Sequence, residues 1–171
     1  MRLPLLSPAR PDPVAAAPVD LDALRRSARI SVDREGFVCH EAERIAHPRL
    51  QRVLQQGLEI DADGRAGVRF GHQWAPVTCE RTPFVVTRAT LEPGGLRLRL
   101  NTGADLALPI AAVRLRLEGE HDLYVAIDDQ AHEARFGRTA WMQAADWLDA
   151  DRAGNTWLQA GADRIKVERV R

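Results

Sequence analysis

Apolar and polar residues alternate along much of the chain, a pattern that predicts a protein built mainly of β-strands. The clearest case is the run Leu-Arg-Leu-Arg-Leu at residues 96–100. Because successive side chains of a strand point to opposite faces, this strand has one apolar and one cationic face. Residues 20–28, 48–57 and 139–148 instead repeat apolar residues at helical spacing. We therefore predict an α+β fold of mostly antiparallel sheets with a few helices.

The order of predicted elements occurs twice. A His-Glu-Ala tripeptide, a helix, an Asp-x-x-Gly turn and two strands follow one another between His40 and Glu80, and again between His132 and Glu168. This shared order predicts an internal duplication of one α/β unit. We place the two units at residues 20–82 and 83–171, after a Pro/Ala-rich tail at residues 1–19 that we expect to be disordered. A cleft between two such units is a common place for a ligand.

Composition excludes several classes of function. The 171 residues contain 24 Lys+Arg and 24 Asp+Glu, so the net charge of zero gives no reason to expect bulk attraction to nucleic acid or to a membrane surface. No apolar run reaches the length of about 18 residues needed for a membrane-spanning helix. The apolar start of the tail is short and interrupted by proline, unlike a signal peptide. We therefore expect a cytoplasmic protein.

No motif in the sequence names a reaction. The nucleotide-binding and serine-hydrolase motifs are missing, and Cys39 and Cys79 do not form a zinc-binding CxxC pair. We expect both thiols to be reduced, and we expect neither a cofactor nor a bound metal. A metal-dependent hydrolase that uses His40, Asp128 and Asp129 stays open as an alternative.

Arginine supplies nearly all of the positive charge, and several arginines fall on predicted strands. If Arg88, Arg99 and their neighbours share one face of a sheet, they offer fork-shaped donors that suit phosphate or carboxylate. The alternative is an ordinary solvated face, neutralised by glutamates nearby. The sequence pattern leaves both interpretations open.

Three segments, in this order along the chain, resemble the bacterial family known as domain of unknown function 1285 (DUF1285). They are DREGFVCHEAERIAHPRL at residues 33–50, CERTPFVV at 79–86 and LRLRLNTGADLALP at 96–109. The resemblance covers about residues 28–168. The sequence departs from the family where it has Asn101-Thr102 in place of Thr-Asn and Glu80-Arg81 in place of Glu-Asp.

The resemblance implies two similar α/β units side by side, the second loosely like a pleckstrin-homology barrel. It also implies a site at their interface for a small anionic, nucleotide-like ligand, a role in signal transduction, and no enzymatic activity. The alternative without such a site is a protein-interaction adaptor that adds a strand at an open sheet edge. The residues that we expect to bind the ligand are Glu80, Phe84, Arg88, Arg99, Asn101, Thr102 and Asp105.

Overall fold

The computed structural model describes residues 29–127 and 132–170. The predicted tail, the helix expected over residues 20–28, and Asp128 and Asp129 lie outside the described residues. Within them the chain is mostly β-sheet with two α-helices, so the predicted α+β class is confirmed.

The first part of the chain forms two small sheets and one helix. Its elements are β1 (Ile30–Val32), β2 (Val38–His40), β3 (Glu43–Arg44), α1 (Pro48–Gln56), β4 (Leu58–Ile60), β5 (Ala66–Phe70), β6 (Gln73–Pro76) and β7 (Thr78–Cys79). One sheet has the order β3-β2-β1-β7 and the other the order β4-β5-β6.

The rest of the chain forms a single nine-stranded sheet with the second helix. Its elements are β8 (Val85–Glu92), β9 (Gly95–Leu100), β10 (Asp105–Pro109), β11 (Leu115–Glu118), β12 (Asp122–Ile127), β13 (His132–Phe136), α2 (Arg138–Ala145), β14 (Leu148–Ala150), β15 (Thr156–Ala160) and β16 (Asp163–Val170). The strand order is β10-β9-β8-β13-β12-β11-β16-β15-β14. The boundary predicted after residue 82 stays a prediction, although the nine-stranded sheet begins just beyond it.

The core contains side chains from both parts of the chain in one hydrophobic cluster. The alternation at residues 96–100 is confirmed, because Leu96, Leu98 and Leu100 are buried there while Arg97 and Arg99 are exposed. Burial of apolar surface stabilises the folded state by roughly 25 cal/mol per Å². The three leucines of this strand therefore determine which face of the sheet packs against the core and which faces water.

Helix α1 spans Pro48–Gln56, close to the predicted range of 48–57. The ring nitrogen Nδ1 of His47 accepts a hydrogen bond from the Leu50 N–H (3.3 Å), Pro48 occupies the first turn, and Gly57 caps the end. The residue that the helix buries is Gln51, whose side-chain amide pairs with the backbone N–H and C=O of Val38 at 2.8 and 3.1 Å. A polar side chain thus joins the helix to the first sheet.

Helix α2 is shorter than the predicted range of 139–148. It ends at Ala145, because Leu148 already begins strand β14. Its buried residues are Ala140 and Ala144, whereas Ala145 at its end is exposed. Small alanines at this contact allow the helix to lie close to strand β8.

The two parts of the chain share an element order of hairpin, helix and three-stranded meander. In both, the turn after the first meander strand is built around an aspartate: Asp61 Oδ1 accepts from the Arg65 N–H (2.9 Å), and Asp151 Oδ1 accepts from the Asn155 N–H (2.8 Å). The His-Glu-Ala tripeptides are not equivalent, however. His40-Glu41-Ala42 spans the β2–β3 turn, whereas residues 132–134 lie inside β13.

Both cysteines are free thiols, as predicted. Cys39 lies opposite Ser31, and Cys79 lies beside the next residue, Val32, so their side chains belong to opposite faces of the sheet. Burial raises the pKa of both thiols. A raised pKa reduces the thiolate fraction, and neither cysteine is therefore an activated nucleophile.

Candidate functional site

Asn101 joins the two parts of the chain from a buried position just after β9. Its side-chain Nδ2 donates to the carbonyl oxygens of Gly36 (3.1 Å) and Pro83 (3.0 Å), and its Oδ1 accepts from the Val85 N–H (3.0 Å). Both amide hydrogens are therefore used inside the protein. In this structure Asn101, predicted to bind the ligand, holds the β1–β2 turn against the start of β8.

Charged side chains connect the same two parts at the surface. Glu80 accepts hydrogen bonds from Arg34 Nε (2.7 Å) and from Arg135 Nη1 (2.9 Å), and Arg34 also reaches Asp122 (3.1 Å). The Arg135 side chain is only 7% exposed, although its carboxylate partner is largely solvated. These hydrogen bonds, that from Arg34 above all, hold the pKa of Glu80 below its usual range.

A second group of charges continues across β11, β12 and β13. Arg116 donates to Glu133 and Glu118, and its guanidinium lies 4.3 Å above the ring of Tyr124. The hydrogen bonding that Arg116 donates to Glu133 is the main cause both of the lowered pKa of Glu133 and of the raised pKa of Arg116. We call these two groups of charged residues together the seam network; its members are Arg34, Glu80, Arg116, Glu118, Asp122, Glu133 and Arg135.

The seam network leaves little space for a ligand. The cavity that Glu80 and Arg135 help to line has a volume of about 10 Å³, which is room for about one water molecule. Phe84 is buried beside the ring of His132, with 6.4 Å between ring centroids. The shape of this seam therefore does not support the predicted position of the ligand at the interface, and Glu80 and Phe84 have structural partners there.

A much larger cavity lies on the solvent face of β8, β9 and β10. This groove has a volume of about 670 Å³, and its walls include three residues that the sequence predicts, Arg88, Arg99 and Asp105. The remaining lining residues are Thr87, Thr90, Arg97 and Leu98. Thr102, also predicted, lies in the β9–β10 turn, where its hydroxyl accepts from the Ala104 N–H (3.4 Å).

Strand register arranges the groove in two rows across the sheet. In the first row Arg88 lies opposite Arg99, which lies opposite Asp105 on β10. The second row is formed by Thr90, Arg97 and Ala107 in the same order. A β-bulge between Val86 and Arg88 leaves Thr87 without a cross-strand partner, and its hydroxyl donates to the Arg99 carbonyl (3.0 Å).

The first row places two arginines directly opposite each other. Like charges in this position destabilise a sheet, since Cβ atoms of opposed residues are about 5 Å apart. Arg99 has Asp105 as a partner, and Arg97 has Glu92. Arg88 has no carboxylate partner within residues 29–127 and 132–170. The groove thus combines a cavity of ligand size with a guanidinium that no described carboxylate neutralises.

Comparisons with known proteins identify the fold. No family model and no curated protein matches the chain. A DUF1285 family protein from Silicibacter pomeroyi DSS-3 superimposes with a TM-score of 0.60 over 82% of this chain and 80% of its own, at 15% identity. This chain has the DUF1285 fold. A DUF1285 family protein from Shewanella baltica OS155 matches with a TM-score of 0.50 over 70% of this chain and 92% of its own, at 11% identity.

The DUF1285 resemblance inferred from the motif order is thereby confirmed for the fold. The groove is lined by residues of β8 that follow the segment 79–86 and by residues of the segment 96–109, among them Asp105. Glu80 in the segment 79–86 and Asn101 in the segment 96–109 instead form hydrogen bonds that join the two parts of the chain.

The described residues contain no group of three or more His, Cys, Asp or Glu side chains that could hold a metal ion. His40, on which the hydrolase alternative depends, is exposed on β2, and its two proposed partners lie outside the described residues. Neither of the two helices described for this DUF1285 fold is long and apolar enough to cross a membrane.

The seam network predicts that the protein loses stability in acid. Because the pKa values of Glu80 and Glu133 are lowered by folding, their contribution is complete above the unfolded value of 4.5 and is lost as pH falls through the folded values. We expect the midpoint of urea unfolding to be level from pH 8 to pH 6 and to fall below about pH 5. The measurement is urea denaturation followed by circular dichroism at each pH.

The variant Glu133→Gln tests whether the network causes this loss. Glutamine cannot titrate, so the variant should be less stable than the wild type at pH 7 and should lose less of its remaining stability in acid. Glu120→Gln is the control, since Glu120 is exposed and its contact is with an equally exposed His121. An unchanged pH profile in Glu133→Gln would contradict the assignment.

Proposed function

We propose that this protein is a non-enzymatic binding module for a small anionic, nucleotide-like ligand, and that the groove on β8–β10 is its binding site. The observation that carries the proposal is the opposition of Arg88 and Arg99 in a cavity of about 670 Å³, with Arg88 free of any described carboxylate. The proposed ligand lies on one sheet face of the second part of the chain.

An anion bound between the two arginines would relieve their mutual repulsion. Guanidinium groups donate two parallel hydrogen bonds to phosphate or carboxylate oxygens, and each hydrogen bond to a charged group contributes about 1.5–3 kcal/mol. The exposed Arg99–Asp105 pair contributes about 0–1 kcal/mol, so a phosphate can replace the carboxylate at little cost. The arrangement therefore favours a phosphate-bearing ligand.

We also propose that the two parts of the chain derive from one duplicated unit and that the second is loosely like a pleckstrin-homology barrel. Their common order of hairpin, helix and meander and their matching aspartate turns support a duplication. We further propose a role in signalling, in which the bound anion changes the affinity of the protein for a partner in the cytoplasm.

Titration calorimetry with inorganic phosphate tests the binding site. We expect saturable binding by the wild type and at least a tenfold weaker affinity for Arg88→Ala, because the guanidinium that faces Arg99 across the groove is lost. Arg152→Ala, which removes an exposed arginine from the β14–β15 turn, is the matched control and should bind like the wild type. Equal affinities in all three proteins would show that Arg88 is part of an ordinary solvated face.

The second candidate function is a protein-interaction adaptor. Strand β10 forms one edge of the nine-stranded sheet, so an extended peptide has a strand to pair with. Replacing Ala107 by proline removes one backbone donor from this edge strand. If the adaptor function holds, this variant loses peptide binding, whereas phosphate binding at Arg88 and Arg99 is retained.

A further inference from the structure

We infer that the groove takes a ligand with two adjacent phosphoryl groups, a diphosphate, rather than a single phosphate. This inference rests on the proposed function, because it concerns the same groove. It follows from the two rows of side chains, each of which offers its own guanidinium to one phosphoryl group.

The first row binds one phosphoryl group between Arg88 and Arg99. These residues are opposed on β8 and β9, so their side chains leave the same face of the sheet side by side, and an anion between them is within reach of both guanidinium groups. Asp105 lies on the far side of Arg99 and holds its Nη1 in the absence of an anion. A phosphoryl group competes with this carboxylate for Arg99, whereas no carboxylate in the described part of the chain competes for Arg88.

The second row lies two residues further along the strands, at a distance of roughly 7 Å from the first. Its arginine, Arg97, is paired with Glu92 at 2.8 Å, and the side chains of both residues are about half exposed. On one side of Arg97 is Thr90, whose hydroxyl has no hydrogen-bond partner among the described side chains. On the other side is Ala107, whose methyl group leaves the space above β10 open.

A diphosphate fits both rows, since long arginine side chains can converge on neighbouring phosphoryl groups. The first group would meet Arg88 and Arg99, and the second would meet Arg97 and the Thr90 hydroxyl. A single phosphate can satisfy only the first row. The second row therefore determines the preference for a diphosphate, whereas the first determines whether an anion binds at all.

The test compares inorganic phosphate, pyrophosphate and citrate by titration calorimetry at one ionic strength. We expect pyrophosphate to bind the wild type at least tenfold more tightly than phosphate and more tightly than citrate, whose carboxylates carry similar charge without the phosphate geometry. Arg97→Ala should lose about tenfold in pyrophosphate affinity and change phosphate affinity by less than threefold. Thr90→Val should have the same selective effect to a smaller extent, and Arg152→Ala should have none.

The possible failures are distinguishable. If phosphate binds through Arg88 but pyrophosphate or citrate binds with the same affinity, the diphosphate inference is wrong and the anion site stands. If Arg97→Ala weakens both phosphates equally, the division into two rows is wrong. If none of the three anions binds, the proposed function fails together with the inference. Thermal melts of Arg97→Ala and Thr90→Val confirm folding, because both residues are exposed.

Discussion

Replacing Asn101 by alanine is expected to lower the free energy of unfolding by about 3–5 kcal/mol. The substitution leaves the carbonyls of Gly36 and Pro83 and the N–H of Val85 without their partner, and each unsatisfied buried group costs about 1–3 kcal/mol. Water that enters the gap recovers part of this sum. Urea denaturation at pH 7 measures the loss.

Thr102→Ala is the control, since its side chain lies next in sequence but makes only a local contact in the turn. We expect Thr102→Ala to change stability by about 0.5 kcal/mol or less. A loss below about 1 kcal/mol in Asn101→Ala would contradict the structural role of Asn101 and return it to the candidates for ligand binding.

The variant Gly36→Ala is expected to be destabilised by about 3 kcal/mol. Gly36 has a φ of +85°, and an added Cβ would lie 2.7 Å from the Asn101 Cβ and 2.9 Å from the Val85 Cβ. The left-handed backbone costs an alanine about 1–2 kcal/mol, and overpacking in a rigid core costs about 1–3 kcal/mol more. Thermal and urea unfolding both report this loss.

Gly64→Ala separates these two causes. Gly64 has a similar φ of +78° in a similar aspartate turn, but no atom lies within 4 Å of its added Cβ. We expect this variant to lose only the backbone contribution of about 1–2 kcal/mol. Equal losses in the two glycine variants would show that the close contacts with Asn101 and Val85 contribute nothing. The double variant Gly36→Ala/Asn101→Ala should be less destabilised than additivity requires, because Asn101→Ala removes the Nδ2 atom that would lie 2.9 Å from the added Cβ.

The strand pattern predicted part of the groove because alternation fixes the face on which a side chain lies. The alternation predicts Arg88 and Arg99 as binding residues, whereas Asp105 was predicted from the DUF1285 resemblance. Arg97 was missed as a site residue, although its spacing of two from Arg99 is the signal that puts it on the same face. Thr87 and Thr90 could not be found, because a β-bulge and the pairing of β8 with β9 place them at the groove.

Motif resemblance did not distinguish residues that bind a ligand from residues that hold the fold. Asn101 is 65 positions away from Gly36 in the chain, and only the packed structure brings their polar groups together. Glu80 likewise looks like a ligand carboxylate in the sequence, but it already accepts hydrogen bonds from two arginines in distant parts of the chain, Arg34 in the β1–β2 turn and Arg135 on β13. Local sequence contains no information about such partners.

The sequence by itself determined the strand-rich α+β class, the reduced cysteines, helix α1 with its caps and the cationic face of β9, because each depends on neighbours within a few residues. The tertiary structure alone decided which arginines have no carboxylate partner among the described residues and where a cavity of ligand size lies. Both depend on strand order and register, which bring together residues far apart in the chain. For this reason the candidate site lies on an open sheet face, while the seam between the two parts is filled by its own ion pairs.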